Sequence, residues 1–374
     1  MMKAKPIGLY VHIPFCLKKC AYCDFCSFIS ADFPQKTEYI DALCAEIDSY
    51  KDRGTVLDSI FFGGGTPSLL TGDEFAKIMS HVRSSFRLSD DLELTVEANP
   101  KTLTREKLIS YMNEGVNRIS LGLQSANANE LSALGRIHTY EEFLESYTLA
   151  REMGIENINV DLMYGIPQQT SESFLNTLKR VSALSPEHIS VYGLILEEGT
   201  PLYQSAGSYR MPTEDEECDM YYLAAGILAE QGYSHYEISN YARRGCECRH
   251  NLKYWRCEEY IGVGLAAYSY FDGKRYGNTT DREVYLSHTG EIIIYEEPVT
   301  VESLAYEFVM LGLRLAQGIS LSEYSSRFGT DFLPGREEKI KSFAELGYLT
   351  LDKDSICLTE RGFYVSNSIL NELI

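Results

Sequence analysis

A unit of short apolar segment, turn and amphipathic helix occurs six times within about the first 200 residues of the chain. Each apolar segment predicts a buried strand, and the helical spacing that follows it predicts a covering helix. Strands that alternate with helices form a parallel sheet with right-handed crossovers, so the pattern predicts an α/β protein whose sheet curls towards a barrel. The predicted strands span residues 7–15, 59–62, 93–97, 118–123, 157–163 and 188–196, and the predicted helices span 37–50, 74–86, 105–113, 140–153 and 171–184.

Polar or glycine-rich residues follow the predicted strands at the points where the apolar pattern stops. In parallel barrels the carboxyl ends of the strands meet on one face, and the loops of that face carry the chemistry. The segments that meet this description are 16–23, 63–67, 97–100, 124–125 and 161–167. The sequence therefore predicts a functional site at the carboxyl ends of the strands.

Three cysteines stand close together in the first of these loops. Cys16, Cys20 and Cys23 form a C-x3-C-x2-C pattern directly after the first strand. Thiolates are the usual ligands of iron–sulfur clusters, and three of them on a [4Fe–4S] cluster leave one iron free for a small molecule. A zinc site or three unrelated thiols are the alternatives, but structural zinc sites usually take two separated pairs of ligands. The spacing favours the cluster.

Further polar residues lie at or near the strand ends: Glu97, Gln124, Arg136 and Asp161. A carboxylate within an apolar strand, such as Asp161, needs a partner. An amide can donate and accept, and a guanidinium can pair with a ligand carboxylate. Glu97 could accept from a ligand, or simply cap a helix or face solvent. The glycine run at 63–65 lets backbone N–H groups approach a ligand, although such a run alone often marks only a turn.

Charge and cysteine usage narrow the class of protein. Acidic residues outnumber basic ones by 54 to 34, giving a formal charge of −20. Such a surface disfavours a nucleic-acid groove or a patch for anionic membranes. The first residues, MMKAKP, contain no apolar signal region, and the chain has no apolar run long enough to span a bilayer. Ten cysteines in a chain without an export signal indicate reduced thiols or metal ligands, so we expect a cytoplasmic protein.

The last part of the chain has a different pattern. Predicted helices at 301–316, 321–328 and 337–346 precede a hairpin at 349–358 and a final helix from about residue 359. This order suggests a winged-helix-like α+β module, and the few basic residues in its third helix favour packing over DNA binding. We expect three domains: a core barrel at 1–235, a barrel extension carrying HNLKYW at 236–298, and the winged-helix-like domain at 299–374.

The combined motifs resemble the radical S-adenosylmethionine (SAM) superfamily, and within it the oxygen-independent coproporphyrinogen oxidase-like proteins. The likeness rests on YVHIPFC, CAYCDF, FFGGGTPS, VEANP, GVNRISLGLQS, LGRIH, NVDLMYGIP and YEISNYAR…RHNLKYW, and it runs from about residue 7 to the C-terminus. It implies a partial (β/α)6 barrel of the TIM type, with SAM on the free iron and a 5′-deoxyadenosyl radical on reductive cleavage. By motif match, Tyr10, Tyr22, Gly64, Gly65, Thr66, Glu97, Gln124, Arg136 and Asp161 would bind SAM.

Two functions within that family compete. One is the oxidase, a dehydrogenase that decarboxylates two propionates of coproporphyrinogen III. The other is a heme chaperone that carries heme to acceptor hemoproteins, including membrane-bound respiratory enzymes. Phe25 stands where the oxidases have a fourth cysteine, only nine residues precede Tyr10, and HNLKYW contains His250 beside aromatic residues suited to heme. These features favour the chaperone, with His250 as the candidate heme ligand.

Several questions stay open at this point. Cleavage of SAM would require an electron donor such as a flavodoxin or ferredoxin, and no catalytic residue, acceptor protein or oligomeric state can be read from the sequence. Cys26 could be a spare thiol, a ligand or a redox partner, and Tyr268 stands where the family often has histidine. The segment containing Cys246, Cys248, His250 and Cys257 could bind metal, ligate heme or hold reduced thiols. An enzyme acting on a non-porphyrin substrate, or one that opens heme, is the alternative from another class.

Overall fold

One curved sheet organises the protein. The computed structural model describes residues 5–51, 53–287 and 292–374, and among these the sheet has twelve strands. They are β1 (Ile7–Ile13), β2 (Val56–Gly64), β3 (Arg87–Ala98), β4 (Arg118–Gln124), β5 (Asn157–Tyr164), β6 (His188–Gly193), β7 (Ser234–Glu237), β8 (Asn240–Ala242), β9 (Tyr260–Val263), β10 (Tyr268–Phe271), β11 (Lys274–Asn278) and β12 (Ile293–Pro298).

The first six strands form the parallel part of the sheet. The spatial order is β12-β11-β10-β9-β1-β2-β3-β4-β5-β6-β8-β7, so β1 to β6 lie side by side in chain order. Strand β9 extends the parallel part on the open side of β1, with Ile261 opposite Leu9. Antiparallel strands complete both edges; at one of them β8 pairs with β6, with Tyr241 opposite Ile189. This arrangement confirms the predicted partial (β/α)6 barrel.

Helices surround the sheet, most of them against its outer face. Those of the main body are α1 (Lys36–Asp48), α2 (Gly72–Ser85), α3 (Arg105–Asn113), α4 (Ala128–Ala133), α5 (Tyr140–Glu152), α6 (Ser171–Ser182), α7 (Pro201–Ser205), α8 (Glu214–Glu230), α9 (Arg249–Trp255) and α10 (Arg282–Ser287). Helices α2, α5 and α8 are preceded by the capping residues Thr71, Thr139 and Thr213. Each threonine hydroxyl accepts from the N–H of the third helical residue, a glutamate whose carboxylate accepts from the threonine N–H. Such capping boxes fix where each helix starts. None of the helices in the described residues is long and apolar enough to cross a membrane.

The two faces of the barrel strands differ in polarity. Residues such as Val96, Leu121 and Val160 are fully buried against the helices. Alternate positions, such as Glu97, Ser120 and Asp161 in the same strands, line a cavity inside the barrel. Because successive side chains of a strand point to opposite faces, the helix-facing side forms the core and the inner side is left polar. A polar interior of this kind suits a ligand.

The C-terminal module has its own apolar core. It contains α11 (Val301–Gly312), α12 (Leu321–Phe328), α13 (Glu337–Glu345), α14 (Glu360–Tyr364) and α15 (Ser366–Leu373), with the small strands β13 (Ile319–Ser320), β14 (Leu349–Leu351) and β15 (Ser355–Leu358). Phe308, Val309 and Ile356 are buried in that core. This confirms the winged-helix-like prediction, while the three domain boundaries stay predictions.

Several element bounds, and some whole elements, differ from the sequence prediction. Strand β3 begins at Arg87 and not at 93, and β6 ends at Gly193 and not at 196. The expected final helix is divided into α14 and α15. Helix α9 and the antiparallel strands β10 to β12 were not predicted.

A buried carboxylate lies where the barrel meets the C-terminal module. Glu237 is fully buried, and its Oε1 atom has no hydrogen-bond partner among the described residues. Next to it, the Ile238 N–H donates to the Arg314 carbonyl at 3.0 Å, which joins the two parts of the chain. Burial raises the pKa of Glu237 from 4.5 to about 7. The charged form is therefore disfavoured in the folded protein.

Glu237→Gln should flatten the dependence of stability on pH. A carboxyl whose folded pKa is raised contributes its full stability below the unfolded pKa of 4.5 and loses it as pH rises through about 7. Since one pKa unit corresponds to about 1.4 kcal/mol, the wild type should lose on the order of 3 kcal/mol more than the variant between pH 4.5 and pH 8. Urea unfolding at both pH values measures this difference. Parallel pH profiles for the two proteins would contradict the prediction.

Candidate functional site

A cavity of about 610 Å³ opens at the carboxyl ends of the parallel strands. All the residues predicted from the sequence for the cluster, SAM and heme line it. They are Tyr10, Cys16, Cys20, Tyr22, Cys23, Gly64, Gly65, Thr66, Glu97, Gln124, Arg136, Asp161 and His250. The structure thus brings together residues from five strands, three loops and one helix, in agreement with the position expected for the site.

The cysteine loop lies at the rim of this cavity. Its start is fixed by a short parallel pair of strands, Phe15–Cys16 with Phe28–Ile29. Its middle is held by backbone hydrogen bonds, since the Ala21 N–H donates to the Leu134 carbonyl at 2.9 Å and the Leu202 N–H donates to the Ala21 carbonyl at 2.8 Å. These contacts hold a loop that contains almost no regular structure.

Each of the three loop thiols has a polar neighbour that can donate to sulfur. The Thr66 hydroxyl donates to Cys16 Sγ at 3.7 Å, and Arg136 Nη1 donates to Cys20 Sγ at 3.3 Å. The hydroxyl of Ser27 lies 4.0 Å from Cys23 Sγ. All three cysteines are free of disulfides. Because hydrogen bonds to sulfur stabilise thiolate ligands of iron–sulfur clusters, the donor set fits a [4Fe–4S] cluster.

The other cysteines do not join this group. Cys26 lies in a second, smaller pocket of about 250 Å³ that also includes Tyr268. Cys248 Sγ lies 3.7 Å from a carboxylate oxygen of Glu93, and Cys257 packs in the core of the C-terminal module. In the part of the chain that the structure describes, no three His, Cys, Asp or Glu side chains converge on a single metal ion. That finding includes the three loop cysteines, so the observation that disfavours a metal site at residues 246–257 is the separation of Cys248, beside Glu93, from Cys257 in the C-terminal core.

The glycine loop after β2 lies directly against the cysteine loop. The Gly65 N–H donates to the Ile13 carbonyl at 2.8 Å, and the Gly64 N–H donates to Glu97 Oε2 at 3.3 Å. A Cβ atom on Gly65 would lie 2.7 Å from the Phe15 carbonyl oxygen. Only a residue without a side chain allows the two loops to approach so closely.

Two carboxylates share the inside of the barrel. Burial and, to a smaller extent, the neighbouring charge of Asp161 together raise the pKa of Glu97 to about 8. Burial also raises the pKa of Asp161, although Asn159 Nδ2 at 2.7 Å and Ser120 Oγ at 3.2 Å donate to it. Two such carboxyls favour a ligand that brings a positive charge or hydroxyl donors.

Arg136 and Gln124 bound the cavity on the side of β4. The Arg136 guanidinium donates to Cys20 Sγ at 3.3 Å and to Asn99 Oδ1 at 2.6 Å, and it also donates to the Gly122 carbonyl. It therefore connects the cysteine loop to the ends of two strands. Gln124 has a φ of 71°, which is unusual for a residue other than glycine and ends the strand sharply.

Helix α9 places His250 beside the cavity. Its first N–H groups are capped from the sheet, since Glu93 accepts from the backbone of Arg249 and of His250 at 3.1 Å each. The imidazole nitrogens lie 3.1 Å from Ser59 Oγ and 2.8 Å from Tyr254 OH. Burial lowers the pKa of His250 to about 3, so the ring is neutral. Both nitrogens already have partners, and ligation of heme iron by His250 stays a prediction.

Sequence reasoning missed the polar residues deeper in the barrel. They are Arg118, Ser120, Asn159, His188 and Ser190. His188 Nδ1 lies 2.6 Å from Asn159 Oδ1, which also accepts from Ser190 at 3.1 Å. The signal that could have found them is a polar residue at every second position of an otherwise apolar strand, which predicts a polar inner face.

Comparisons with known proteins agree with this geometry. Residues 10–181 match the radical SAM superfamily, and residues 299–365 match the HemN C-terminal domain. The chain is 35% identical to the heme chaperone HemW of Lactococcus lactis, covering 100% of this chain and 98% of that protein. It is also 35% identical to the heme chaperone HemW of Escherichia coli, covering 99% of this chain and 98% of that protein.

A solved structure shows the same architecture. The coproporphyrinogen III oxidase HemN of Escherichia coli, described as a radical SAM enzyme, superposes with a TM-score of 0.85 at 25% identity. The match covers 98% of this chain and 90% of that one. The barrel, the cysteine loop and the full-length likeness lead to one assignment: the chain belongs to the radical SAM superfamily and, within it, to the coproporphyrinogen oxidase-like family that includes the HemW proteins.

Proposed function

We propose that this protein binds heme and passes it to acceptor hemoproteins. The observation that carries the proposal is the likeness over the whole chain to relatives named heme chaperone HemW. The structure adds a wall of aromatic rings beside the cavity, in which Phe61 stacks on His250 with ring centroids 5.4 Å apart and Tyr10 stacks on Phe61 at 6.4 Å. Aromatic side chains beside a cavity suit an apolar, planar ligand such as a porphyrin.

We assign the rim of the cavity to the family's cofactors. Cys16, Cys20 and Cys23 would hold a [4Fe–4S] cluster, and SAM would lie between them and the inner carboxylates. The remaining SAM contacts would come from Tyr10, Tyr22, Gly64, Gly65, Thr66, Glu97, Gln124, Arg136 and Asp161. When bound, the two groups supply one-electron chemistry. The chain itself supplies a close backbone surface at the glycine loop, acceptors at Glu97 and Asp161, and a cation at Arg136.

Phe25 favours the transport of heme over the oxidase reaction. It occupies the position of the oxidases' fourth cysteine, and its side chain is 69% exposed at the mouth of the cavity. An exposed aromatic side chain at the entrance can contact a planar ligand without reacting with it. Transfer to acceptor hemoproteins and the use of an electron donor stay predictions, as does the cytoplasmic location.

The test is anaerobic reconstitution of the cluster, followed by separate incubations with heme and with coproporphyrinogen III, SAM and a reductant. We expect stable heme binding, transfer of that heme to a heme-free acceptor, and no protoporphyrinogen. His250→Ala should weaken heme binding, because it removes one ring of the aromatic wall. Absence of heme binding by the wild type would overturn the proposal.

The second candidate function is that of an oxygen-independent coproporphyrinogen III dehydrogenase. The observation that favours it is the structural match to HemN across both the barrel and the C-terminal module. Formation of protoporphyrinogen IX in the same assay, with SAM consumed in proportion, would establish the dehydrogenase. It would also answer whether the protein is an enzyme.

A further inference from the structure

An arginine lies deep in the cavity without a bonding partner. Arg118 is the first residue of β4 and is 2% exposed, yet it lines the cavity. Its Nε atom has no hydrogen-bond partner, and in residues 5–51, 53–287 and 292–374 its guanidinium takes part in no hydrogen bond or ion pair that the structure shows. A guanidinium has five N–H donors and keeps its charge in proteins.

The neighbouring carboxylates are already engaged. Glu93 accepts from the backbone N–H groups that begin α9, and Asp161 accepts from Asn159 and Ser120. His188 is likewise satisfied, with Asn159 Oδ1 on one nitrogen and Tyr236 OH at 2.8 Å on the other. Burying a charged group without hydrogen bonds is costly, and protein interiors normally avoid it. The donors of Arg118 are therefore available to something that enters the cavity.

Arg118 is at the start of β4, whereas the residues proposed to hold the cluster and SAM lie towards the end of that strand. Gly122 accepts from Arg136 near the cysteine loop and lies four residues further along the same strand. At about 3.3 Å per residue, the backbone of residue 118 lies about 13 Å from that of residue 122, and Asp161 interacts electrostatically with both guanidinium groups. Arg136 is thus the cation beside the proposed cluster. Arg118 is a second cation at the inner end of the cavity, which we call its floor.

We infer that Arg118 binds a carboxylate of the ligand that fills the floor of the cavity. The inference rests on the proposed function, from which the ligand is heme and the carboxylate is one of its propionates. The planar guanidinium group of an arginine can donate two parallel hydrogen bonds to the two oxygens of a carboxylate. The macrocycle would then lie between this anchor and the aromatic wall of Tyr10, Phe61 and His250.

The experiment compares heme with heme dimethyl ester, which has no free carboxylate. Anaerobic titrations would use the wild type, Arg118→Met, Arg118→Lys and, as a control, Arg256→Met at an exposed position. We expect the wild type and the control to prefer heme over the ester by about tenfold or more, about 1.4 kcal/mol. Arg118→Met should bind both equally weakly, and Arg118→Lys should keep part of the preference. SAM affinity should be unchanged within about twofold in all four proteins.

The stability of the variant separates binding from a structural role. Arg118 makes no hydrogen bond that would be lost, and the charge that it sets against Glu93 and Asp161 is opposed by the cost of burying it, so the Tm of Arg118→Met without ligand should stay close to that of the wild type. A lower Tm would assign the side chain to the fold and overturn the inference. A fall in SAM affinity with unchanged heme affinity would assign the carboxylate to SAM and also overturn it.

Two outcomes distinguish this inference from the proposed function. If the wild type binds heme and its ester equally, the floor site is wrong while heme carriage stands. If the wild type binds no heme, the proposed function fails, and sodium propionate becomes the probe. A propionate-dependent rise in Tm in the wild type but not in Arg118→Met would still support a carboxylate site at this arginine. Equal responses in the two proteins would overturn it.

Discussion

Cys20→Ala should abolish the iron–sulfur cluster, while Cys26→Ala should leave it intact. Cys20 lies at the cavity rim, where Arg136 donates to its sulfur at 3.3 Å. Cys26 is only six residues further along but lies in the neighbouring pocket with Tyr268. The loop therefore offers a matched pair of thiols with different surroundings.

Iron and sulfide analysis after anaerobic reconstitution measures the difference. The wild type and Cys26→Ala should each bind about four irons per chain, and Cys20→Ala should bind fewer than about one. SAM affinity should fall with the iron content, because the free iron is part of its site. Loss of iron in Cys26→Ala would make that thiol a ligand, and a full complement in Cys20→Ala would contradict the assignment of the three cysteines.

Gly65→Ala should weaken SAM binding by about 100-fold, equivalent to about 2.7 kcal/mol. The added Cβ would lie 2.7 Å from the Phe15 carbonyl oxygen and 2.9 Å from the Pro14 carbonyl carbon. Both are backbone atoms at the start of the cysteine loop, which cannot give way as a flexible side chain does. The glycine loop must therefore move away from the loop it packs against, and its close backbone surface is displaced.

Gly207→Ala is the control for this substitution. Gly207 lies in a surface turn where an added Cβ meets nothing within 4 Å. Equilibrium binding of SAM to the reconstituted proteins should give wild-type affinity for Gly207→Ala and the large loss for Gly65→Ala. Circular dichroism should show the same helix content in both variants. Wild-type affinity in Gly65→Ala would show that the glycine loop takes no part in holding SAM.

The barrel and the rim of its cavity could be predicted because both depend on local patterns. The buried strands are apolar and short, and the polar or glycine-rich residues that follow them mark the strand ends. Cys16, Cys20, Cys23 and Glu97 were placed in this way, and the cavity contains all of them. Their positions depend only on the order of the strands in the sheet, and the six successive strand–helix units determine that order.

The floor of the cavity could not be predicted in the same way. Helix α9 has seven residues, and its start depends on Glu93, which lies more than 150 residues earlier in the chain. Arg118 begins an apolar segment, where a charged residue is usually the solvated flank of a strand. Only the three-dimensional pairing of β4 with β3 and β5 shows that this flank is inside the barrel.

The pairing of β9 with β1 has a consequence for biosynthesis. Residue 263, which ends β9, leaves the ribosome 250 residues after residue 13, which ends β1. At about 5–20 residues per second, that interval is about 12–50 s. Throughout it, the edge of β1 has no strand beside it, and the cysteine loop is tethered to an incomplete barrel. We therefore expect the cysteine loop of the nascent chain to stay accessible to solvent until the segment that pairs with the edge of β1 has been translated.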